Sequence, residues 1–295
     1  MDNKKNLISW LSLLLLAMIW GGSFILMKQG LRSFNYWQVS SIRMFSAFIF
    51  LLPFAIRNIK KLSKKNIVPI IIVAFIGNMI PSWLFPLGQT KVESNLAGML
   101  NSLVPVFVLI IGLMFFKKKT SLMQIIGVVL GLIGAAMLMT KDNVFQFGQM
   151  NFYGLFIVLA TIMYAINTNQ INSFLKSLTG IEIASLSFLF IGPVSGTILL
   201  FSDYSKAISS PTLYFDLACL ITLGLLGSAI AVSLSNHIIT KSGAMFGSSV
   251  TYIIPIFAIL WGLLDGESLN LVQIIAMIII LFGVYLVNKK ATKLL

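Results

Sequence analysis

Long runs of apolar residues, separated by short polar segments, dominate the 295-residue chain. A helix needs about 20 apolar residues to cross the hydrocarbon core of a bilayer. The pattern therefore predicts an all-α membrane protein with ten transmembrane helices. The predicted spans are residues 8–27, 38–56, 67–87, 95–116, 122–139, 152–175, 181–201, 213–239, 244–264 and 271–287.

Several predicted spans begin with the same local signal. An Asn, Ser or Thr is followed three residues later by Gln or Glu, which is the capping-box pattern of a helix N-terminus. Glu182 belongs to such a pair, so we expect it to cap a helix rather than to act as an acid. The four pairs are Asn35/Gln38, Ser121/Gln124, Thr179/Glu182 and Asn270/Gln273.

The two halves of the chain resemble each other. Residues 77–91 align with residues 227–241 at an offset of 150, and the first two spans align with spans 6 and 7 at an offset of 144. Each half would hold five spans, an odd number, so the halves would have opposite orientations in the membrane. We therefore expect two inverted five-helix repeats, residues 1–145 and 146–295, a plan that many secondary transporters use.

Composition and charge agree with a membrane location. Apolar residues make up 58% of the chain and charged residues 10%, against roughly 25% charged residues in soluble domains. With a cytoplasmic N-terminus, fifteen of the 21 Lys and Arg residues fall in predicted cytoplasmic segments and five in external ones, which leaves Arg43 within a span. The positive-inside rule then predicts that both termini lie in the cytoplasm, which requires an even number of spans.

This placement of the basic residues also bears on partners. A net charge of +13 would suggest nucleic acid binding in a soluble protein, but here the cations serve orientation in the membrane. We expect the lipid bilayer and a small-molecule substrate as partners and no nucleic acid. The oligomeric state is left open.

The residues that enzymes and metal sites require are scarce. His237 is the single histidine, which excludes a two-histidine metal motif, and no Asp or Glu lies deep in a predicted span. One cysteine, Cys219, excludes an internal disulfide framework and a cysteine metal cluster. We therefore expect no catalytic residue, no metal site and no cofactor.

Polar side chains from several spans are predicted to meet in a central cavity lined by spans 1–4 and 6–9. At 1.5 Å per residue along a helix, four of them lie about 7–13 Å from the outer ends of their spans. The residues that align with these four in the other half, which we call their repeat mates, lie at a similar depth counted from the inner ends of their spans. The predicted substrate-binding residues are Trp20, Ser23, Arg43, Asn78, Asn101, Tyr164, Asn167 and Thr251.

Arg43 is the one charge that the repeat does not duplicate, because its mate is Ser187. A guanidinium binds carboxylates and phosphates through paired hydrogen bonds, so we expect an anionic or zwitterionic substrate. Snorkelling of Arg43 to the membrane surface is an alternative. Hydrogen bonding between neighbouring helices is an equally good explanation for the amides and hydroxyls. Lys28, near a predicted boundary, is expected to be solvated or to snorkel.

Pro105 and Pro255 occupy matched positions in spans 4 and 9. Proline removes a backbone hydrogen bond, and matched interruptions in two repeats point to a transport site or a hinge. We predict that both are hinge residues, with simple kinks as the alternative. Gly127 and Gly131 are expected to allow close packing of span 5.

Four stretches resemble the EamA-type branch of the drug/metabolite transporter superfamily: IWGGSFILMK (19–28), IRMFSAFIFLLP (42–53), NSLVPVFVLIIGLMFF (101–116) and residues 253–287. The resemblance implies an inner-membrane carrier with two EamA units and a central cavity. Such carriers typically export amino acids or small metabolites. The resemblance carries the family's W-G-x-S-F element with its lysine, and its second-span arginine, onto Trp20, Gly21, Ser23, Phe24, Lys28 and Arg43.

One element of the family pattern occurs in only one half. Gly266–Glu267 matches a G-E element, whereas Lys117 to Lys119 stand at the corresponding place in the first unit. We therefore expect Glu267 to act in a cap or loop rather than in a role shared by both units.

The sequence thus favours a secondary transporter that exports amino acids or related small carboxylate metabolites by alternating access. Uptake or exchange of nucleotide-type or sugar-type metabolites is the alternative within transport. A non-transporting membrane assembly or sensor subunit is the alternative from another class, and the short connections between spans disfavour it.

Overall fold

The computed structural model describes residues 2–116, 120–138 and 152–288, and these residues form helices and connections without a β-strand. Eight helices are long and apolar enough to cross a membrane. Two shorter apolar helices accompany them, α5 (Leu122–Leu138) and α10 (Leu271–Asn288). The eight are α1 (Asp2–Ser33), α2 (Tyr36–Asn58), α3 (Ile67–Gln89), α4 (Ser94–Phe116), α6 (Tyr153–Phe174), α7 (Gly180–Leu200), α8 (Leu213–Ser242) and α9 (Ala244–Leu264).

The prediction of an all-α membrane protein is therefore confirmed, and a helix occupies each of the ten predicted spans. Within the described residues, α5 and α10 are shorter than the other eight helices. The predicted repeat boundary between residues 145 and 146 lies outside the described residues, as do Lys117 to Lys119.

Capping boxes begin α2 and α7, as the sequence predicts. The Asn35 side chain accepts a hydrogen bond from the Gln38 backbone N–H at 2.9 Å, and the Gln38 side chain accepts one from the Asn35 backbone N–H at 3.0 Å. Thr179 and Glu182 form the equivalent pair at α7. These bonds satisfy backbone donors that otherwise have no partner in the first helical turn.

Matched irregularities occur in α3 and α8. A π-helical segment, Phe75–Met79, interrupts α3, and another, Leu223–Ile230, interrupts α8. Such bulges occur often at functional sites, because they change which side chains face the interior. Here they place Asn78 and Ser228 inside the bundle.

The two predicted hinge prolines do not kink continuous helices. The helical pattern of α4 is broken at Ser102 and resumes at Val104, one residue before Pro105. In α9 a 3₁₀ segment, Ser249–Tyr252, precedes the segment in which Pro255 lies. Each proline sits in a first helical turn, where its missing N–H costs nothing. The hinge role of both residues stays a prediction.

The helices pack in reciprocal pairs. Helix α1 packs on α8 and α9, and α6 packs on α3 and α4; α2 packs on α7, and α5 packs on α10. Glycines allow the α5–α10 contact, since a Cβ on Gly127 would lie 2.4 Å from the Gly283 carbonyl oxygen. The expected close packing of α5 thus occurs against α10.

Candidate functional site: a central cavity

A cavity of about 110 Å³ lies at the centre of the bundle. Side chains from α1, α2, α3, α4, α6, α8 and α9 line it. Helix α7, which the sequence assigned to the lining, contributes no side chain. All eight predicted substrate-binding residues lie in the lining: Trp20, Ser23, Arg43, Asn78, Asn101, Tyr164, Asn167 and Thr251. Their contact with substrate stays a prediction.

Arg43 is buried, with 7% of its surface exposed, and it faces the cavity rather than the outside of the bundle. Its Nε donates a hydrogen bond to the Ser228 hydroxyl at 2.7 Å, and its Nη1 lies 3.9 Å from the Met27 sulfur. In the described part of the chain, no carboxylate oxygen lies within 4.0 Å of the guanidinium. Arg43 is therefore a buried cation whose closest partners are neutral.

Ser187, the repeat mate of Arg43, has a different environment. Ser187 is fully buried, and its hydroxyl donates to the Ala184 carbonyl of its own helix at 2.9 Å. It lies outside the cavity lining. The site is therefore asymmetric in charge, with the cation supplied from the first half of the chain.

Two predicted residues of α1 use their donors within the protein. The Trp20 indole N–H donates to the Gly227 carbonyl at 3.0 Å, across to the π segment of α8. The Ser23 hydroxyl donates to the Ile19 carbonyl at 2.8 Å. Trp20 thus presents its ring to the cavity while its polar end holds α1 against α8.

The π segment of α3 orients Asn78. Its side-chain nitrogen donates to the Val73 carbonyl at 2.8 Å, five residues earlier in the same helix. Asn101 closes the first segment of α4, next to the break at Ser102. Thr251 lies in the 3₁₀ segment of α9 and donates to the Ser248 carbonyl at 2.8 Å. Irregular backbone therefore positions these three side chains.

Helix α6 supplies an aromatic ring and an amide. Tyr164 stacks on Phe85 with ring centroids 5.8 Å apart, and Phe85 contacts Phe24 at 5.7 Å. The side-chain oxygen of Asn167 is buried and has no hydrogen-bond partner among the described residues. A Cβ on Gly77 would lie 2.4 Å from this amide, so the glycine makes room for it.

Sequence reasoning missed part of the lining on α8. Asn236 is 2% exposed, lines the cavity, and has an unpartnered side-chain nitrogen. Polar pairs between the repeats could not reveal it, because its mate at offset 150 is Pro86. Helical spacing could have revealed Asn236. One face of α8 carries Val232, Ser235, Asn236 and Ile239, and all four line the cavity.

Lys28 is partly exposed, and it also lies in a cluster of charges that the sequence did not predict. Its Nζ is 2.7 Å from Asp265 Oδ2 and 2.7 Å from Glu267 Oε1. We call Lys28, Asp265 and Glu267 the Lys28 cluster. Glu267 also accepts hydrogen bonds from the backbone N–H groups of Ser94 and Asn95, at 3.0 and 2.9 Å. The expected cap role of Glu267 is therefore confirmed, and the helix that it caps is α4.

The Lys28 cluster favours ionised carboxylates. Burial opposes ionisation of Glu267, but hydrogen bonds from Lys28 and from the α4 backbone outweigh it and hold the pKa below its ordinary value. The pKa of Asp265 is also lowered, because hydrogen bonds from Lys28 and Gln29 outweigh burial. Glu93 has a raised pKa, through its own burial and repulsion from Glu267.

Comparison with known proteins assigns the chain to a family. The model of the EamA-like transporter family matches residues 7–140 and again residues 151–289. The chain belongs to the EamA-like transporter family. It is a multi-pass membrane transporter, which implies a small-molecule substrate and a lipid environment.

Relatives of this EamA transporter align along nearly its whole length. An uncharacterized transporter of Archaeoglobus fulgidus is 23% identical over 284 residues, covering 95% of this chain and 99% of the relative. The uncharacterized inner membrane transporter YedA of Escherichia coli strain K12 is 26% identical over 286 residues, covering 94% and 89%. The uncharacterized transporter YoaV of Bacillus subtilis is 23% identical over 283 residues, covering 94% and 95%.

A crystal structure with 13% identity gives a TM-score of 0.64 and covers 94% of this chain and 95% of that chain. This likeness shows a shared fold. The predicted EamA resemblance and transporter class are confirmed, and the substrate and direction are matters for proposal.

Proposed function

We propose that this EamA transporter exports amino acids or related small carboxylate metabolites across the inner membrane by alternating access. Arg43 would bind the carboxylate, with Trp20, Asn101 and the other predicted residues shaping the pocket. The observation that carries the proposal is a buried guanidinium in the central cavity, whose closest partners are the Ser228 hydroxyl and the Met27 sulfur.

Electrostatics explain why this observation favours a carboxylate. A buried charge is costly unless an opposite charge and hydrogen bonds compensate it. The Ser228 hydroxyl compensates Arg43 in part, and a bound carboxylate would supply the counter-charge together with two strong acceptors. Binding would therefore relieve a cost that the empty cavity carries.

Two further observations support two inverted repeats and alternating access. The family model matches once in each half of the chain. The packing is reciprocal. Helix α1 packs on α8 and α9, and their counterparts in the other half do the same, since α6 packs on α3 and α4. Repeats of this kind rock around a site near the membrane midplane. Pro105 and Pro255 would serve as the hinges.

The shape of the cavity bears on direction. Its lining extends along α8 to Ile239, about 5 Å before that helix ends at Ser242. With both termini in the cytoplasm, this is the cytoplasmic end of the bundle. The Lys28 cluster joins the two halves at the opposite end, and Lys61 with Glu182 joins them at this end. Export requires the substrate to enter from the cytoplasm, and a lining that extends towards this end supports such a path. The printed name of YedA supports the inner membrane.

Counterflow into proteoliposomes tests the proposal. The full-length protein is reconstituted with unlabelled amino acids and small carboxylates inside, and entry of the labelled compound is measured. We expect Arg43→Gln to lower the rate at least tenfold, because it removes the cation. Arg57→Gln is the matched control, since Arg57 is an exposed residue of the same helix. If a correctly inserted Arg43→Gln protein transported every substrate at the wild-type rate, the proposal would be contradicted.

A further inference from the structure

We infer that the preferred substrate is a monoanion without an ammonium group, namely a carboxylic acid with an apolar body and a neutral polar substituent such as a hydroxyl or an acylated nitrogen. This inference rests on the proposed role of Arg43 in binding a carboxylate. It narrows the proposed substrates to those whose charge matches the cavity.

The charge of the cavity lining is the first support. Among the described residues that line the cavity, Arg43 is the one with a charged side chain, and none is Asp or Glu. A monoanion bound to Arg43 would make the occupied site neutral. A zwitterionic amino acid would leave the same net charge as the empty site, and its ammonium group would have no carboxylate to pair with.

The cost of an ammonium group follows from its surroundings. The group would lose water on entering the cavity, and buried charges without a counter-ion are strongly disfavoured. It would also lie near the guanidinium of Arg43, because the amino and carboxyl groups of an amino acid share one carbon, and like charges repel strongly where water is excluded. A hydroxyl or acylated nitrogen at the same carbon avoids both costs.

Unpartnered amide atoms provide sites for neutral groups. The side-chain nitrogen of Asn236 and the side-chain oxygen of Asn167 are both buried in the lining, and neither has a hydrogen-bond partner in the part of the chain that the structure describes. The Asn236 nitrogen can donate to a carbonyl or carboxylate oxygen, and the Asn167 oxygen can accept from a hydroxyl or an amide N–H. Buried polar groups usually have hydrogen-bond partners. A substrate with one neutral donor would supply a partner for the Asn167 oxygen.

Aromatic rings form one part of the cavity wall. Phe24, Phe85 and Tyr164 form a continuous aromatic surface, with centroid separations of 5.7 and 5.8 Å. The ring of Trp20 belongs to the same cavity lining. Such a surface favours a branched or aromatic substrate body.

A set of ligands with one carbon skeleton tests the inference. Dissociation constants of phenyllactate, N-acetylphenylalanine, phenylalanine and phenylalaninamide are measured for the full-length protein in lipid nanodiscs. We expect phenyllactate or the N-acetyl compound to bind at least tenfold tighter than phenylalanine. Equal or tighter binding of phenylalanine overturns the inference, and so does failure of both neutral-substituent acids to bind. Phenylalaninamide binding as tightly as the acids would instead overturn the proposed role of Arg43.

An added carboxylate provides a second, independent test. Asn236→Asp places an acid in the lining, so the ratio of the phenylalanine and phenyllactate dissociation constants should shift at least tenfold in favour of phenylalanine. Asn172→Asp makes the same change in α6 outside the lining and should leave the ratio unchanged. Asn167→Asp replaces Asn236→Asp if the latter fails to fold. An unchanged ratio in the folded cavity variant contradicts the inference.

Discussion

Two lysine–glutamate pairs stand at opposite ends of the bundle and differ in what they hold together. Lys28 contacts Glu267, and Lys61 contacts Glu182. Both pairs join the first half of the chain to the second, and both glutamates cap the N-terminus of a helix. Glu267, however, caps α4 from the other half, whereas Glu182 caps its own helix, α7.

Burial separates the two pairs further. The Glu267 side chain is 2% exposed, and Lys28 is 34% exposed and also contacts Asp265; Lys61 is 51% exposed. Exposed ion pairs contribute little to stability, whereas breaking a buried pair is costly. The Lys28 end therefore holds the two halves firmly in this conformation, and the Lys61 end offers less resistance to opening.

The largest effect is expected when the Lys28 cluster loses its cation. Lys28→Gln removes the cation that contacts Glu267 and leaves Asp265 with Arg32 alone, whose guanidinium lies 3.8 Å away. It should therefore destabilise the protein by about 2 kcal/mol, below the full value for a buried pair because Lys28 is partly exposed. Such a loss corresponds to a fall of roughly 5 °C in Tm. Thermal melting of the purified protein in detergent measures it. A Tm within 1 °C of wild type would contradict the assignment of the stronger contact to this end.

A smaller effect depends on pH. The pKa of Glu267 is lowered from its ordinary value of 4.5 in the folded protein, so its ionised form stabilises the fold above that pH and this contribution disappears as pH falls through the lowered pKa. The Tm difference between wild type and Glu267→Gln should therefore be full at pH 7 and shrink below pH 4.5. A difference that stays constant down to pH 3 would show that charge is not the cause.

The smallest effect is expected at the opposite end. Lys61→Gln makes the same substitution as Lys28→Gln in a pair whose lysine is 51% exposed and whose glutamate is 10% exposed. Because the lysine is well solvated, the loss should be below about 1 kcal/mol. The same melting experiment gives the comparison, and Lys61→Gln serves as its matched control. Equal losses from the two substitutions would remove the distinction between the two ends.

Sequence reasoning succeeded where short-range rules decide the outcome. Apolar runs predicted the helix positions, and capping boxes predicted the starts of α2 and α7, because both signals depend on neighbouring residues. Counting depth along helices also brought Trp20, Arg43 and Asn101 to one cavity, since the rise per residue is fixed.

Sequence reasoning failed where distant segments decide. Lys28 and Glu267 are 239 positions apart, and no local pattern shows that a loop of the second half reaches the N-terminus of α4. Asn236 was missed for a different reason, since the helical spacing along α8 that would reveal it was not used. Helix α7 looks like a lining helix by its polarity, but its Ser185 and Ser187 hydroxyls donate to carbonyls of its own backbone.

The central claim is that Arg43 recognises a carboxylate. The direct measurement is the ratio of dissociation constants for one acid and its amide, determined for wild type and for Arg43→Gln. A charge-assisted paired hydrogen bond contributes about 1.5–3 kcal/mol, or roughly tenfold or more in affinity. We predict that wild type prefers the acid at least tenfold and that Arg43→Gln binds the two alike. The same preference in both proteins would contradict the claim.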